Sequence, residues 1–323
     1  MKKSIGRWTS APSFTALVTV VLLLILFAVG AVNYPGFAAT QVLLNLLIDN
    51  AFLLVIAVGM SLVILSGGID LSVGSVLALS TMIAAWLLQV AHWPPQAVIA
   101  AVLLFGGGFG AAMGAMIHVF KLQPFIVTLA GMFLARGLCY LISINSITID
   151  DPLFVSLSQT QLSVGGGFLS PSAVIALLVL GAGIWLAHWT AFGRAVYAVG
   201  GNEQSALMMG LDVGRTKVMV YATSGFCAAL AGLLFSFYML SGYGLHAQGT
   251  ELDAIAAVVI GGTVLSGGYG YVAGALSGVL VLGLIQTLIA FDGSLSSWWT
   301  KIVIGALLFV FCVVQRLLSK RSS

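Results

Sequence analysis

The side chains able to do chemistry are few, and they stand singly among long apolar runs. Asn45, Asp49, Asn50, Asp70, Thr128, Arg136, Gln286 and Thr287 fall inside such runs or at their edges. A polar group surrounded by hydrocarbon is costly, so each is a candidate for lining a path that a polar solute could follow. Asp49 could instead sit at an outer interface, and Arg136 could pair with it or with a carbonyl. Asp70 precedes Leu71-Ser72, where a carboxylate can cap a helix or act at a hinge. Glu251 and Asp253 are expected at the outer end of an apolar run, free to meet a basic partner or simply solvated. Reactive constellations are missing: there is no H-E-x-x-H, no G-x-S-x-G, and the four histidines are scattered. Cys139, Cys227 and Cys312 each stand alone in apolar sequence and read as small packing residues.

Composition sets the scaffold for these groups. Sixty percent of residues are apolar and 7% charged, with a mean hydropathy of +1.14. Soluble domains carry roughly a quarter charged residues, so this surface faces lipid. Spanning structures are helices or closed barrels. The continuous apolar runs lack the alternation of barrel strands, which selects an all-α polytopic membrane protein. Candidate spans are 14–32, 46–65, 75–91, 97–119, 125–143, 172–188, 218–240, 253–267, 271–290 and 299–315, about ten in all. The first follows Lys2, Lys3 and Arg7, as a cleaved signal would. Its apolar run is longer than a signal core and no clean A-x-A site follows, so it is read as a retained span. Placing the N-terminus inside also puts Lys121, Arg194, Arg215, Lys217, Arg316, Lys320 and Arg321 inside. Asp150, Asp151 and Asp292 then fall outside with Lys301. The positive-inside rule thus predicts both termini in the cytoplasm. Residues 1–323 read as one transmembrane domain, and Trp298-Trp299 as interface anchors, with stacking on a solute ring as the alternative.

Glycine placement adds architecture. Gly106, Gly110 and Gly114 recur at four-residue intervals, as do Gly270, Gly274 and Gly278, predicting flat stripes for backbone-to-backbone helix packing and two helices buried in the bundle. Leu65-Ser66-Gly67-Gly68 with Gly74 is echoed by Leu265-Ser266-Gly267-Gly268 with Gly274. An internal duplication relating about 46–91 to 253–290 would explain this, as would chance in a glycine-rich chain. The string is also close to the signature of ABC-type ATPases. Ile69 or Tyr269 stands where those have glutamine, however, and no phosphate-holding G-x-x-x-x-G-K-[ST] loop exists. The chain itself is therefore not an ATPase.

Between the sixth and seventh spans lies Gly200-Gly201-Asn202-Glu203-Gln204-Ser205-Ala206-Leu207-Met208-Met209-Gly210. It reads as a short capped helix: Asn202 accepts from the first free amides, Glu203 sits at the positive dipole end, and Gly210 stops it. Two turns are unstable alone, so the element needs a partner surface. Met208 and Met209 suit a groove in another protein, with Arg194, Arg215 and Lys217 flanking. An ordinary turn packed on its own bundle is the alternative.

The segments SGGIDLSVGS (66–75), QPFIVTLAGM (123–132), Gly193 with RAVYAVGGN (194–202), and AIAAVVIGGTVLSGG (254–268) resemble permease subunits of bacterial sugar ABC importers, the ribose, xylose and arabinose group. The likeness runs along essentially the whole chain. FDGSLSSWWTKIVIGALLF (291–309) and NYPGFAAT (33–40) are most similar to one of the two different permeases of galactofuranose importers. The resemblance implies a passive tunnel in the bacterial inner membrane that binds no cofactor. It also implies a second permease as partner, in a homodimer or a heterodimer, with the galactofuranose likeness favouring two different chains. Two cytoplasmic ATPase domains holding ATP and a periplasmic sugar-binding protein would complete the complex; nucleic acid is not expected. Gln204-Ser205-Ala206-x-x-x-Gly210 matches the spacing of the family's Glu-Ala-Ala-x-x-x-Gly coupling motif but departs from it at the first two positions. A carrier driven by an ion gradient is the alternative. It would need a carboxylate at mid-depth, and Asp49, Asp70, Glu251 and Asp253 all read as lying near span ends.

Overall fold

The computed structural model describes residues 12–296 and 298–320, with side chains over 17–296 and 298–313. Lys2, Lys3, Arg7 and Arg321 lie outside the described residues, as do the side chains of Arg316 and Lys320. The chain runs α1 (Pro12–Asn33), α2 (Thr40–Asp49), α3 (Ala51–Leu65), α4 (Val73–Gln89), α5 (Pro95–Val119) and α6 (Pro124–Ile142). An extended connection follows with β1 (Ile147–Thr148), α7 (Pro152–Gln159), β2 (Leu162–Val164) and β3 (Gly167–Leu169). The second half comprises α8 (Pro171–Trp189), α9 (Ala191–Gly201), α10 (Glu203–Met208), α11 (Val213–Met239), β4 (Ser241–Gly242), α12 (Thr250–Ile260), α13 (Gly274–Asp292) and α14 (Trp298–Lys320). β1 pairs antiparallel with β4, and β2 with β3.

Local chemistry explains many boundaries. Helices α5, α6, α7 and α8 each begin on proline, whose fixed φ and missing N–H suit the first turn. Side chains of Asp151, Ser170, Thr190 and Asp212 cap α7, α8, α9 and α11.

Among the described residues, five helices (α5, α6, α8, α11 and α13) are long and apolar enough to cross a bilayer, and α2 with α3, bent by 55°, gives a sixth when the pair is counted as one span. The bend falls at Asn50, inside what reads as the single span 46–65. Asn50 is buried, its amide donates to the Leu46 carbonyl at 3.0 Å, and it packs against Gly283.

Helix α11 is the central post and a ruler. Its 27 residues extend about 40 Å. Val213, at what we call the near end, adjoins α10; Tyr238, at the far end, meets Asp49 on α2. The expected glycine face of α5 packs here. A Cβ on Gly106 would stand 2.5 Å from the Gly225 carbonyl oxygen, and one on Gly114 would stand 2.8 Å from Val218 Cα. Only that face of α5 is buried, whereas Leu104 and Val119 on other faces are exposed, so the helix is not enclosed on all sides. In α13, Gly274 and Gly278 lie against Gly261 and Ala257 of α12, whereas Gly270 belongs to the preceding turn with φ of +146°. Cys139 and Cys227 are buried.

Candidate functional site

The near end is built around α10. Asn202 caps it, accepting from Ser205 N at 2.8 Å. At the other end Gly210 takes φ of +79°, Gly210 N donates to Leu207 O at 3.0 Å, and Leu211 N donates to Ala206 O at 3.1 Å. These two bonds are the Schellman closure, and Ala206 and Leu211 join Val199 and Val213 in the small apolar cluster that accompanies it. Glu203 pairs with Lys217 of α11 at 2.7 Å. The six-residue helix is therefore held at both caps, by one ion pair and by one apolar contact. Its remaining side chains point away from the bundle: Leu207 is 64% exposed, Met208 86% and Met209 68%. Gln204 and Arg215 are exposed beside them.

Immediately before α10, the end of α9 meets both Leu-Ser-Gly-Gly turns. Gly268 N donates to the Leu65 carbonyl at 2.9 Å, joining the turns to each other. A Cβ on Gly267 would stand 2.7 Å from Gly67 Cα, and one on Gly268 would stand 2.7 Å from Gly201 Cα. A Cβ on Gly200 would overlap the Leu65 oxygen outright. Tyr197 of α9 adds a bond from its hydroxyl to the Gly270 carbonyl at 2.8 Å. Only residues without a Cβ allow three backbones this close. Lys121, Arg194, Arg215 and Lys217 share the near end; Asp150, Asp151 and Asp292 belong to the far end.

The middle of the bundle departs from expectation. After Gly67 the chain turns back into the core, where Asp70 is wholly buried. Its carboxylate accepts from Ser72 N at 2.9 Å, Ser72 Oγ at 2.6 Å and Ser224 Oγ at 2.7 Å. Ser224 is eleven residues beyond Val213, about 16 Å along α11, so α4 starts near mid-depth. Thr128, also buried, donates to the Ile69 carbonyl at 3.2 Å and steadies the same loop. Helix α12 is likewise incomplete. The apolar run 253–267 reads as a full span, but Gly261-Gly262 ends the helix after 11 residues. From its contact with Gly274, α12 reaches about 16 Å along α13, a little over half that helix. The preceding loop, 243–249, descends from the β1–β4 ribbon to meet it: Arg136 Nη1 donates to Gly244 O at 2.6 Å and to His246 O at 2.9 Å.

Glu251 and Asp253 are thus at mid-depth and not at the outer end of a span. The Glu251 carboxylate is packed against Gly74, and Asp253 is paired with Lys301 at 2.6 Å. Neither is displayed toward the far end, where a docking partner would find it. Asp70 also lies deep in the core and not at a span end.

Of the expected path residues, Asn50, Asp70 and Thr128 are enclosed, and Arg136 is occupied with loop carbonyls. Asn45 and Asp49 are exposed along one face of α2, and Gln286 is exposed on α13. Gln41, one turn before Asn45, is not among the residues that polarity and depth single out. Its amide donates to Asn45 Oδ1 at 2.8 Å and accepts from Phe168 N at 2.9 Å, clamping the β2–β3 hairpin. The four-residue spacing of Gln41, Asn45 and Asp49 is the signal that points to it. Tyr238, whose hydroxyl donates to Asp49 at 3.4 Å, and Lys301 likewise escape a reading by sequence alone.

Apolar helices around a post, broken spans with polar groups at mid-depth, and a capped two-turn helix at one end define a multi-pass α-helical membrane protein. Residues 42–312 match the family model described as branched-chain amino acid transport system / permease component. The chain is 53% identical over 285 residues to the inner membrane ABC transporter permease protein YjfF of Escherichia coli (strain K12), across 88% of this chain and 86% of that protein. It is 39% identical to the fructose import permease protein FruG of Bifidobacterium longum, across 93% and 90% of the two chains. To the ribose import permease protein RbsC of Haemophilus influenzae it is also 39% identical, across 82% of each. No solved structure matches the chain. The chain belongs to this family of ABC-importer permease components, and its part is transport, not catalysis.

Proposed function

We propose that the chain is the membrane-spanning subunit of an inner-membrane ABC importer for a monosaccharide, with galactofuranose as the sugar. Sugar-import permeases among its relatives support the substrate class. The segments 33–40 and 291–309, with their likeness to galactofuranose permeases, support the particular sugar. Its partners are a second, different permease, two ATPase domains that hold ATP, and a periplasmic sugar-binding protein. The basic residues gathered at the near end support placing that end in the cytoplasm.

The observation that carries the reading is α10. A helix this short persists only because its caps, the Glu203–Lys217 pair and Ala206 hold it, yet it presents Leu207, Met208 and Met209 to water. That is an anchored knob made for a groove on an ATPase. ATP-driven closure of the ATPases moves the knob, and the bundle alternates between its two openings. An ABC transporter permease among the relatives speaks against an ion-driven carrier.

The test is the complex reconstituted with its ATPase, second permease and binding protein. Glu203→Arg sets like charges together at Lys217, and Gly210→Pro denies the left-handed Schellman residue. Both are expected to lower galactofuranose-stimulated ATP hydrolysis at least tenfold. Unchanged stimulation removes the docking claim, and equal uptake of ribose and galactofuranose removes the sugar assignment.

A further inference from the structure

Lipid-facing surface at mid-depth should be apolar, and one stretch of this molecule is not. The loop 243–249 is irregular backbone at a depth where only protein or water can satisfy its polar groups. Gln248 on that loop is exposed, and so is Leu252 one turn into α12. Beside them Lys301 Nζ lies 3.8 Å from the position of a Cβ on Gly249 and pairs with both Asp253 oxygens, at 2.9 and 2.6 Å. Lys301 is in the first turn of α14, near the far end, and a snorkelling lysine would extend outward to the nearest water. This one extends inward to Asp253. Its side chain is still 51% exposed while that of Asp253 is 14% exposed. A groove of about 460 Å³ opens between α13 and α14 next to the pair, where Gln286, Thr300 and Lys301 share the walls with the apolar Ile289, Ala290 and Leu295. That volume falls in the range of small-molecule sites, about 300–1,000 Å³.

We propose that Gln248, Gln286, Thr300 and the Lys301–Asp253 pair line the solute path from the far end toward mid-depth and make the transient hydrogen bonds to a neutral, polyhydroxylated solute. This rests on the permease reading above. The chemistry fits that class of ligand. Two amides and a hydroxyl each donate and accept, as sugar hydroxyls do, and an ammonium with three donors keeps one for the groove after two go to Asp253. The charges of Lys301 and Asp253 cancel, so the surface has no net attraction for an ion. Leu252 supplies an apolar edge for the carbon face of a ring. A protein partner could also cover polar backbone, but it would leave Gln286, Thr300 and a half-exposed lysine facing a groove with nothing to bond.

The experiment places single cysteines by Gln286→Cys and Gln248→Cys on a Cys312→Ser background, Cys139 and Cys227 being buried. Leu104→Cys, on an exposed apolar face of α5, is the lipid-facing control. The assembled complex in proteoliposomes is treated with a charged, membrane-impermeant methanethiosulfonate, with and without ATP analogue, and with and without saturating galactofuranose. The expected result is modification at 286 and 248 but not at 104, reduced at least fivefold by the sugar. Reaction only with a lipid-soluble maleimide, or only cross-linking to the second permease, overturns the assignment. So does modification that sugar does not slow. ATP-dependent uptake by the parent complex is measured alongside. Its absence would overturn the permease reading, whereas uptake without labelling overturns the path assignment alone. Lys301→Met combined with Asp253→Asn removes both charges together. The expected effect is a rise of at least fivefold in the KM for uptake, and an unchanged KM counts against the site.

Discussion

Replacing Gly200 by alanine should damage the protein where the neighbouring Gly201→Ala should not. The added methyl at 200 would overlap the Leu65 carbonyl oxygen and stand 2.8 Å from Gly268 N, between the two atoms of a 2.9 Å hydrogen bond. Neither neighbour is a side chain that can swing aside. Forcing a methyl into a packed site costs about 1–3 kcal/mol, and losing the hydrogen bond adds about 0.5–1.5 kcal/mol. The sum, roughly 1.5–4.5 kcal/mol, falls on the joint between α9 and both turns. At 201 a Cβ meets nothing within 4 Å. Alanine there should be neutral or stabilise α9 by up to about 1 kcal/mol. The assay compares the two variants by thermal unfolding of the purified subunit and by sugar-stimulated ATP hydrolysis in the complex. Gly200→Ala should unfold at lower temperature and lose stimulation, while Gly201→Ala should match the parent in both. Equal behaviour of the pair would refute the close approach of the three backbones.

Gly110→Ala drives a methyl into the Tyr221 carbonyl on α11 and should prevent accumulation of folded protein in membranes, whereas Gly108→Ala, which meets nothing within 4 Å, should be silent by the same immunoblot. Ser224→Ala leaves one Asp70 oxygen without its 2.7 Å donor and should cost about 1–3 kcal/mol in a denaturant titration, with Ser224→Thr recovering most of it. The Glu203–Lys217 pair is partly exposed and worth under about 1 kcal/mol to stability. Lys217→Glu should thus lower ATPase stimulation without changing expression, and adding Glu203→Lys should restore it; failure of the swap would mean the pair does not position α10.

What the chain declares in advance is local. Asn202, Glu203 and Gly210 announce α10 because caps are properties of a few adjacent residues. The glycine face of α5 is visible because its period is that of the helix. The span 46–65 hides a 55° bend, since one asparagine in an apolar run does not reveal that Gly283 waits to receive it. The run 253–267 hides a half-length helix, because hydropathy counts methyl groups and does not register that Gly261 and Gly274 approach backbone to backbone. The gathering of Lys121, Arg194, Arg215 and Lys217 at one end is legible from charge alone. The inward turn of Asp253 is not, because Lys301 lies 48 residues away and no local rule joins them. The Gly200–Leu65–Gly268 joint depends on three segments meeting in space, and its trace in the sequence is only an unexplained echo.

The knob at the near end also has a chemical lifetime. Met208 and Met209 are thioethers held in open water. Peroxide converts such side chains to sulfoxides, which are polar and poor occupants of an apolar groove. If α10 docks as proposed, a subunit left unassembled ages at the surface it needs for assembly, and methionine sulfoxide reductase is the enzyme that could return it to service. Mass spectrometry of the 203–215 peptide would read that age directly, residue by residue, in free and assembled pools.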